Sequence, residues 1–200
     1  LPIISPANAT EFMQNVKSSG AADTVISLFS GSGRLLLTLM NDPHHLLGLP
    51  PIDLRHGWNI GQRQHQQLID QLYSRFKPAV TIAEPRCKHW SKSGNRRDPV
   101  LTQSLRDEEL PTLRYLSKRI VAEVNQDHQC LLENPKGSAI WWDSPLASLE
   151  WHNHMKRYHT CQCHYMRGIP DGERHKKETS LLTNMKLKQS IAYCTCTRGH

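Results

Sequence analysis

A cysteine with basic neighbours lies in the middle of the chain, in Glu84-Pro85-Arg86-Cys87-Lys88-His89-Trp90-Ser91. Nearby cations stabilise a thiolate, which is the nucleophilic form of cysteine. The apolar run Pro78–Ala83 predicts a buried strand just before this segment, so Cys87 is expected near a strand end, where open α/β sheets bind ligands. The alternative is a partly buried cysteine in a polar turn, with no chemical role.

A carboxylate follows a second predicted strand, in Leu131-Leu132-Glu133-Asn134-Pro135-Lys136-Gly137. Buried at the strand end, Glu133 could act as a general acid or as a hydrogen-bond donor to a ring nitrogen. Alternatively, Glu133 anchors the loop and caps a helix that begins near Ser138. The pair Trp141-Trp142 follows, and it could pack in the core or an interface, or stack on a base.

A glycine turn follows the first predicted strand, in Phe29-Ser30-Gly31-Ser32-Gly33. Glycine allows positive φ angles and a close approach of the main chain to a ligand, and the helix predicted after the turn offers unpaired N–H groups. Asp53, twenty positions after Gly33, is spaced to bind a ribose hydroxyl from the end of the next strand. The alternative is a tight turn with a solvent-facing carboxylate.

Two Cys-x-Cys pairs lie near the C-terminus, where histidine is also frequent; they are Cys161, Cys163, Cys194 and Cys196. Thiolates and imidazoles are preferred zinc ligands, so neighbouring strands could bring the pairs together in a tetrahedral site. Such a metal would be structural. Alternatively, Cys161 and Cys163 pack as small hydrophobic residues on one face of a strand.

Apolar periodicity predicts alternating strands and helices. The strands are expected at Thr24–Phe29, Pro78–Ala83 and Cys130–Glu133, and the helices at Thr10–Ser18, Arg34–Met40, Gln62–Phe76 and Leu105–Val124. This alternation favours a Rossmann-like α/β fold, a mostly parallel sheet with helices on both faces. We expect residues 1–22 to form a lead-in segment, and 23–200 to form one α/β domain with a Cys/His-rich C-terminal part.

Together, the three motifs resemble those of the DNA cytosine-5 methyltransferases, whose fold is the Rossmann-like class I methyltransferase type. In that family a Phe-x-Gly-x-Gly loop, a Pro-Cys turn followed by an aromatic residue and serine, and a Glu-Asn turn occur in this order. The matching residues are Phe29, Gly31, Gly33, Pro85, Cys87, Trp90, Ser91, Glu133 and Asn134. The resemblance covers roughly residues 24–140.

The resemblance implies methyl transfer from S-adenosylmethionine to cytosine in DNA. Cys87 would attack C6 of a cytosine flipped out of the duplex, and Glu133 would contact the ring N3 and the exocyclic amine. The implied cofactor-binding residues are Phe29, Gly31, Gly33 and Asp53. The implied substrate-binding residues are Arg86, Lys88, Ser91 and Asn134.

The sequence also departs from that family. Arg86 separates the proline from the cysteine, and Pro135 replaces the valine of the Glu-Asn-Val turn. No later arginine-containing motif, target-recognition domain or final asparagine-containing segment is recognisable. These departures favour an alternative, a non-catalytic nucleic-acid-binding or assembly module with the same fold. The chain also resembles methyltransferase-like segments of protist retroelement polyproteins, in Asp53-Leu-x-x-Gly57-Trp58-Asn59 and in Lys177-x-Thr179-x-x-x-Thr183-Asn184.

The composition favours a polyanionic partner. The 200 residues contain 25 Lys and Arg against 18 Asp and Glu, which gives a formal charge of +7. DNA is the expected partner, with RNA or a small molecule as alternative methyl acceptors. No apolar run is long enough to cross a bilayer, and the first residues lack the pattern of a secretory signal. We therefore expect an intracellular protein with free thiols, or a piece of a longer polyprotein.

Overall fold

The computed structural model describes residues 4–16, 24–29, 47–91, 98–152, 154–161 and 177–187. The centre of the fold is a six-stranded sheet. Its strands are β1 (Thr24–Leu28), β2 (Leu47–Gly48), β3 (Val80–Ala83), β4 (Gln129–Pro135), β5 (Lys156–Cys161) and β6 (Glu178–Thr183). The order is β2-β1-β3-β4-β6-β5. The first four are parallel, and β6 runs antiparallel to both β4 and β5. The predicted α/β fold with a mostly parallel sheet is confirmed.

The three α-helices of the described residues occur where periodicity predicted helices. They are α1 (Ala9–Asn15), α2 (Arg63–Phe76) and α3 (Pro99–Val124). α3 begins well before the predicted Leu105, because the Asp98 side chain accepts hydrogen bonds from Val100 N and Leu101 N and caps the helix. Pro99 at the first helical position fits this start, since its missing N–H is not needed there.

Helices α2 and α3 pack together on one face of the sheet. Asp70 of α2 accepts hydrogen bonds from Tyr115 Oη at 2.8 Å and Arg119 Nη2 at 2.7 Å, both from α3. Tyr73 of α2 is hydrogen-bonded to the buried Thr81 of β3 at 3.2 Å. Thr81 is fully buried, so this helix covers the face of β3 that carries Thr81. The helix predicted at Arg34–Met40 lies outside the described residues.

The start of the described chain packs against the domain. Trp58 Nε1 donates a hydrogen bond to Ile4 O at 2.8 Å, and the rings of Phe12 and Phe76 lie 5.8 Å apart. Ile4, Ala9 and Met13 are buried in the same hydrophobic core as α2. Part of the predicted lead-in segment therefore contributes to the core.

The antiparallel end of the sheet is tied to β4 by two side chains, one from the last residue of β6 and one from the residue after it. Asn184 Oδ1 accepts a hydrogen bond from Cys130 N, and Asn184 Nδ2 donates one to His128 O, each at 2.8 Å. Thr183 Oγ1 donates to Cys130 O. These bonds fix the register of β6 against β4.

Among the described helices, none combines the length and apolar character that a membrane span requires.

Candidate active site

A cavity of about 410 Å³ lies where strands β1 and β3 end. Phe29 follows β1 in this cavity, and Glu84, Pro85 and Arg86 follow β3. Another wall comes from the middle of α3; its lining residues are Leu105, Glu108, Glu109, Thr112 and Leu113. Parallel strands thus bring residues distant in sequence to one opening, as open α/β sheets do.

Phe29 and Asp53 meet in the cavity through a short extension of the parallel sheet. Phe29 N donates a hydrogen bond to Ile52 O at 2.8 Å, and Ile52 forms a parallel bridge with Leu28. Asp53 then follows the bridge, and its carboxylate accepts a hydrogen bond from Arg55 N at 2.9 Å. Asp53 thus follows an isolated bridge and caps the short 3-10 helix Leu54–His56, whereas the sequence predicted it at the end of a strand; β2 ends at Gly48. Gly31 and Gly33 lie outside the described residues.

The cavity is acidic although the chain as a whole is basic. Asp53, Glu84, Glu108 and Glu109 line it, against one guanidinium, that of Arg86, and the imidazole of His89. Burial raises the pKa of Glu109, opposed by its hydrogen bond from Trp90 and by the charges of His89 and Arg86. Partial burial and the nearby charge of Glu133 raise the pKa of Glu84, opposed by Lys177. The lining favours a ligand that carries positive charge.

The turn that carries Cys87 is closed by its own main chain. Cys87 O accepts hydrogen bonds from Trp90 N at 3.1 Å and from Ser91 N at 2.8 Å. The Cys87 side chain is half-buried, and Arg86 and Lys88 on either side of it are exposed. The thiol is thus partly accessible beside two surface cations. Cys87 itself is not among the residues that line the cavity.

Helix α3 anchors this turn through two side chains that the sequence analysis did not single out. The buried Trp90 donates its indole N–H to Glu109 Oε2 at 2.6 Å. Arg106 Nε donates to His89 O at 2.9 Å, and its guanidinium lies 5.0 Å from the centre of the Trp90 ring. Arg106 and Glu109 are three positions apart and so lie on one helix face. The spacing of Arg106 and Glu109 is visible in the sequence. Their contact with the Cys87 turn could be known only from the fold.

The Glu133-Asn134 turn lies beside the segment that follows β3, at the carboxyl ends of these parallel strands. The pairing of Ala83 with Leu132 sets Glu84 beside Glu133. The buried Asn134 donates its side-chain N–H to Pro85 O at 2.7 Å, which fixes the end of β4 to the end of β3. Asn134 therefore has a structural contact in addition to the substrate contact that the resemblance implies. It holds the Glu133 and Cys87 segments together.

Glu133 forms an ion pair with a residue from the start of the last described segment. Lys177 Nζ lies 3.8 Å from Glu133 Oε1, and the Glu133 side chain is 19% exposed. The Lys177 side chain is 48% exposed, so solvent weakens the pair. The late motif that begins with Lys177 thus reaches the strand end that carries Glu133.

The predicted zinc ligands lie mostly outside the described residues. Cys161 is buried at the end of β5, the edge strand. Cys163, Cys194 and Cys196 are not described. Within the described ranges, no group of three or more His, Cys, Asp or Glu side chains is placed to hold a metal ion. The zinc site stays a prediction.

One of three comparisons with known proteins, the one with solved structures, supports the fold. No family model and no curated protein matches the sequence. Among solved structures, the Entamoeba histolytica methyltransferase EhMeth matches with a TM-score of 0.55 and 15% identity. The match covers 88% of this chain but 57% of EhMeth, so the chain spans little more than half of that protein. At this identity the likeness shows the fold alone, and the chain has the α/β fold of a class I methyltransferase.

Proposed function

We propose that this domain transfers a methyl group from S-adenosylmethionine to C5 of cytosine in DNA, with Cys87 as the nucleophile. The observation that carries the proposal is that three motifs, distant in sequence, lie together at the carboxyl ends of the parallel strands. The cavity there is lined by Phe29, Asp53, Pro85 and Arg86, and Cys87 follows Arg86 in the chain. Asn134 donates a hydrogen bond to Pro85 O and so holds the Glu133 turn beside this segment.

The cavity suits S-adenosylmethionine in size and charge. Its volume of about 410 Å³ falls in the range of about 300–1,000 Å³ that is usual for small-molecule sites. The cofactor carries a sulfonium and an ammonium group, and carboxylates dominate the lining. Asp53 follows the bridged residue Ile52, where a carboxylate can accept hydrogen bonds from ribose hydroxyls. When bound, the cofactor supplies the methyl group.

Cys87 and Glu133 would activate the base. The Cys87 thiolate forms a bond to C6 of cytosine, which moves electron density to C5, the atom that accepts the methyl group. Glu133 contacts N3 and the exocyclic amine and stabilises the charge that develops on the ring. Loss of the C5 proton to a base and cleavage of the S–C6 bond then restore the aromatic ring and the thiolate.

Two surface cations beside Cys87 would hold the substrate strand. Arg86 and Lys88 are exposed on either side of the thiol, and basic side chains contact phosphate oxygens without reading sequence. Ser91 closes the turn through its main-chain N–H. The target cytosine must leave the duplex to reach Cys87, so these contacts would serve a flipped base.

One observation favours the second candidate, a non-catalytic nucleic-acid-binding module. Arg86 separates Pro85 from Cys87, and it lines the cavity, where its charge opposes that of a sulfonium. In that case the fold and the surface cations serve binding alone. The two candidates differ in whether Cys87 forms a covalent bond with cytosine.

The test is covalent trapping on duplex DNA that contains 5-fluorocytosine, in the presence of S-adenosylmethionine. Fluorine cannot leave C5 as a proton does, so the S–C6 bond persists and the complex survives denaturing electrophoresis. We expect the trapped species with the wild type and none with Cys87→Ser. DNA binding without trapping, by a folded wild-type protein that also binds the cofactor, would support the non-catalytic module.

A further inference from the structure

Two tryptophan side chains are exposed on the surface of this domain. Trp142 is 62% and Trp151 is 88% exposed, whereas the other three tryptophans, Trp58, Trp90 and Trp141, are at most 2% exposed. An indole ring is the largest apolar side chain, and two exposed rings within one short segment make that segment a candidate contact surface.

Both exposed rings belong to one short segment, residues 138–152, which follows β4. Ile140, Leu146 and Leu149 anchor this segment in the core. Arg157 Nη2 donates hydrogen bonds to Trp141 O at 3.4 Å and to Glu150 Oε2 at 2.6 Å. A single nitrogen therefore joins the residues that directly precede Trp142 and Trp151. Arg157 thus connects the two stretches of main chain that carry the exposed rings.

The segment is bonded to the turn that carries Cys87. Ala139 N donates a hydrogen bond to Trp90 O at 2.6 Å. Arg106 bridges the two segments a second time, because its side chain contacts both His89 O at 2.9 Å and Asp143 Oδ2 at 3.1 Å. Trp142 directly precedes Asp143, so its main chain adjoins a residue that Arg106 links to the Cys87 turn.

The charge of the segment is compatible with a polyanion. Its acidic residues are Asp143 and Glu150, and each forms an ion pair, with Arg106 at 3.1 Å and with Arg157 at 2.6 Å. The exposed Lys156 lies just beyond the segment, in a chain of net charge +7. Phosphates could therefore approach the two rings without meeting an uncompensated carboxylate of this segment.

We propose that Trp142 and Trp151 form a stacking platform for the DNA bases that lose their pairing when the target cytosine is flipped towards Cys87. Aromatic rings on a polar, cation-bearing surface bind single strands by stacking on the base faces, without a need for a fixed sequence. A protein partner would be expected to need a larger contiguous apolar area than two rings among polar residues. The inference rests on the proposed DNA substrate and adds a site that holds the bases left unpaired by the flipping.

The test is the fluorescence anisotropy of a labelled single-stranded DNA oligonucleotide, titrated with the full chain at several salt concentrations. Because each stacked base adds to the affinity, Trp142→Ala and Trp151→Ala should each weaken binding by about 10-fold. Trp142→Phe and Trp151→Phe keep a ring and should bind within about 3-fold of the wild type. The salt dependence should stay unchanged, because no cation is removed.

Leu47→Ala is the matched control, since it removes an exposed apolar side chain from β2, at the far edge of the sheet, and should leave binding unchanged. Wild-type affinity in both alanine variants would overturn the platform and leave the proposed DNA substrate standing. Absence of DNA binding by the wild type would overturn both. Tighter, tryptophan-dependent binding of RNA would contradict DNA as the occupant. A change of sedimentation in the alanine variants, with DNA binding intact, would identify a protein interface instead.

Discussion

The cavity beside β1 and β3 and the segment 138–152 beyond β4 present opposite chemistry. Four carboxylates and one guanidinium line the cavity. In the segment, arginines pair with both carboxylates, and two indole rings face solvent. A basic chain thus keeps an acidic pocket apart from a segment whose carboxylates are paired with arginines. The Cys87 turn lies between the two and is bonded to both.

The largest expected effect concerns Glu133, which lies between the two regions. Glu133→Gln removes the carboxyl group to which we assign the contact with the ring N3, and general acid–base groups contribute about 10²–10⁴-fold. We expect methyl transfer to duplex DNA to slow by at least about 100-fold, with unchanged cofactor affinity. Lys177→Gln, which removes the partner in the exposed ion pair, should have a far smaller effect. Equal losses in both variants would contradict the role given to Glu133.

The bond between the two strand ends should matter for stability. Asn134→Ala removes the hydrogen bond to Pro85 O and leaves a buried carbonyl without that donor. Such losses cost about 1–3 kcal/mol, which denaturant unfolding would measure. Asn184→Ala is the control in the antiparallel region, because Asn184 bonds two main-chain groups around β4. We expect a similar loss of stability in both but lower cofactor affinity only in Asn134→Ala.

The raised pKa of Glu109 predicts a specific pH dependence. The folded state binds a proton at this site more tightly than the unfolded state does, so ionisation of Glu109 disfavours folding. Stability from this residue is therefore present at low pH and lost as pH rises from the ordinary value of 4.5 through the raised pKa. Glu109→Gln keeps an acceptor for Trp90 and should remove this loss. Parallel stability–pH curves for the two proteins would contradict the prediction.

The smallest effect is expected at an exposed ion pair of the antiparallel end. Lys136 Nζ lies 3.5 Å from Glu178 Oε1, and both side chains are about half exposed. Surface pairs of this kind contribute about 0–1 kcal/mol, so Lys136→Ala should shift the free energy of unfolding by less than about 0.5 kcal/mol. A larger loss would show that this end of the sheet depends on charge pairing more than its exposure indicates.

The sequence predicted the parallel part of the fold better than the antiparallel part. β1, β3 and β4 are short apolar runs, and α2 carries its buried residues at helical spacing. In contrast, β5 reads Lys-Arg-Tyr-His-Thr-Cys and has no alternating apolar pattern. Its strand conformation depends on pairing with β6, a tertiary effect that a single sequence does not show.

The candidate site was predictable only in its motifs. Cys87 could be placed after a strand because proline and an apolar run mark the end of β3, whereas Asp53 follows only an isolated bridge. The anchoring of the Cys87 turn by Arg106 and Glu109 could not be predicted, since it depends on how α3 packs across that turn. The contact between Asn134 and Pro85 likewise depends on two strands that are 49 residues apart at this point.

The measurement that tests the central claim most directly is calorimetric titration of the chain with S-adenosylmethionine. We expect micromolar binding by the wild type, about 10-fold weaker binding by Asp53→Asn, which keeps an acceptor for Arg55 N but removes the charge, and none detectable by Asp53→Ala. Asp107→Asn, on α3 but outside the cavity lining, should bind as the wild type does. No binding by a folded wild-type protein, or equal affinity in all four proteins, would contradict the assignment of this cavity to the cofactor.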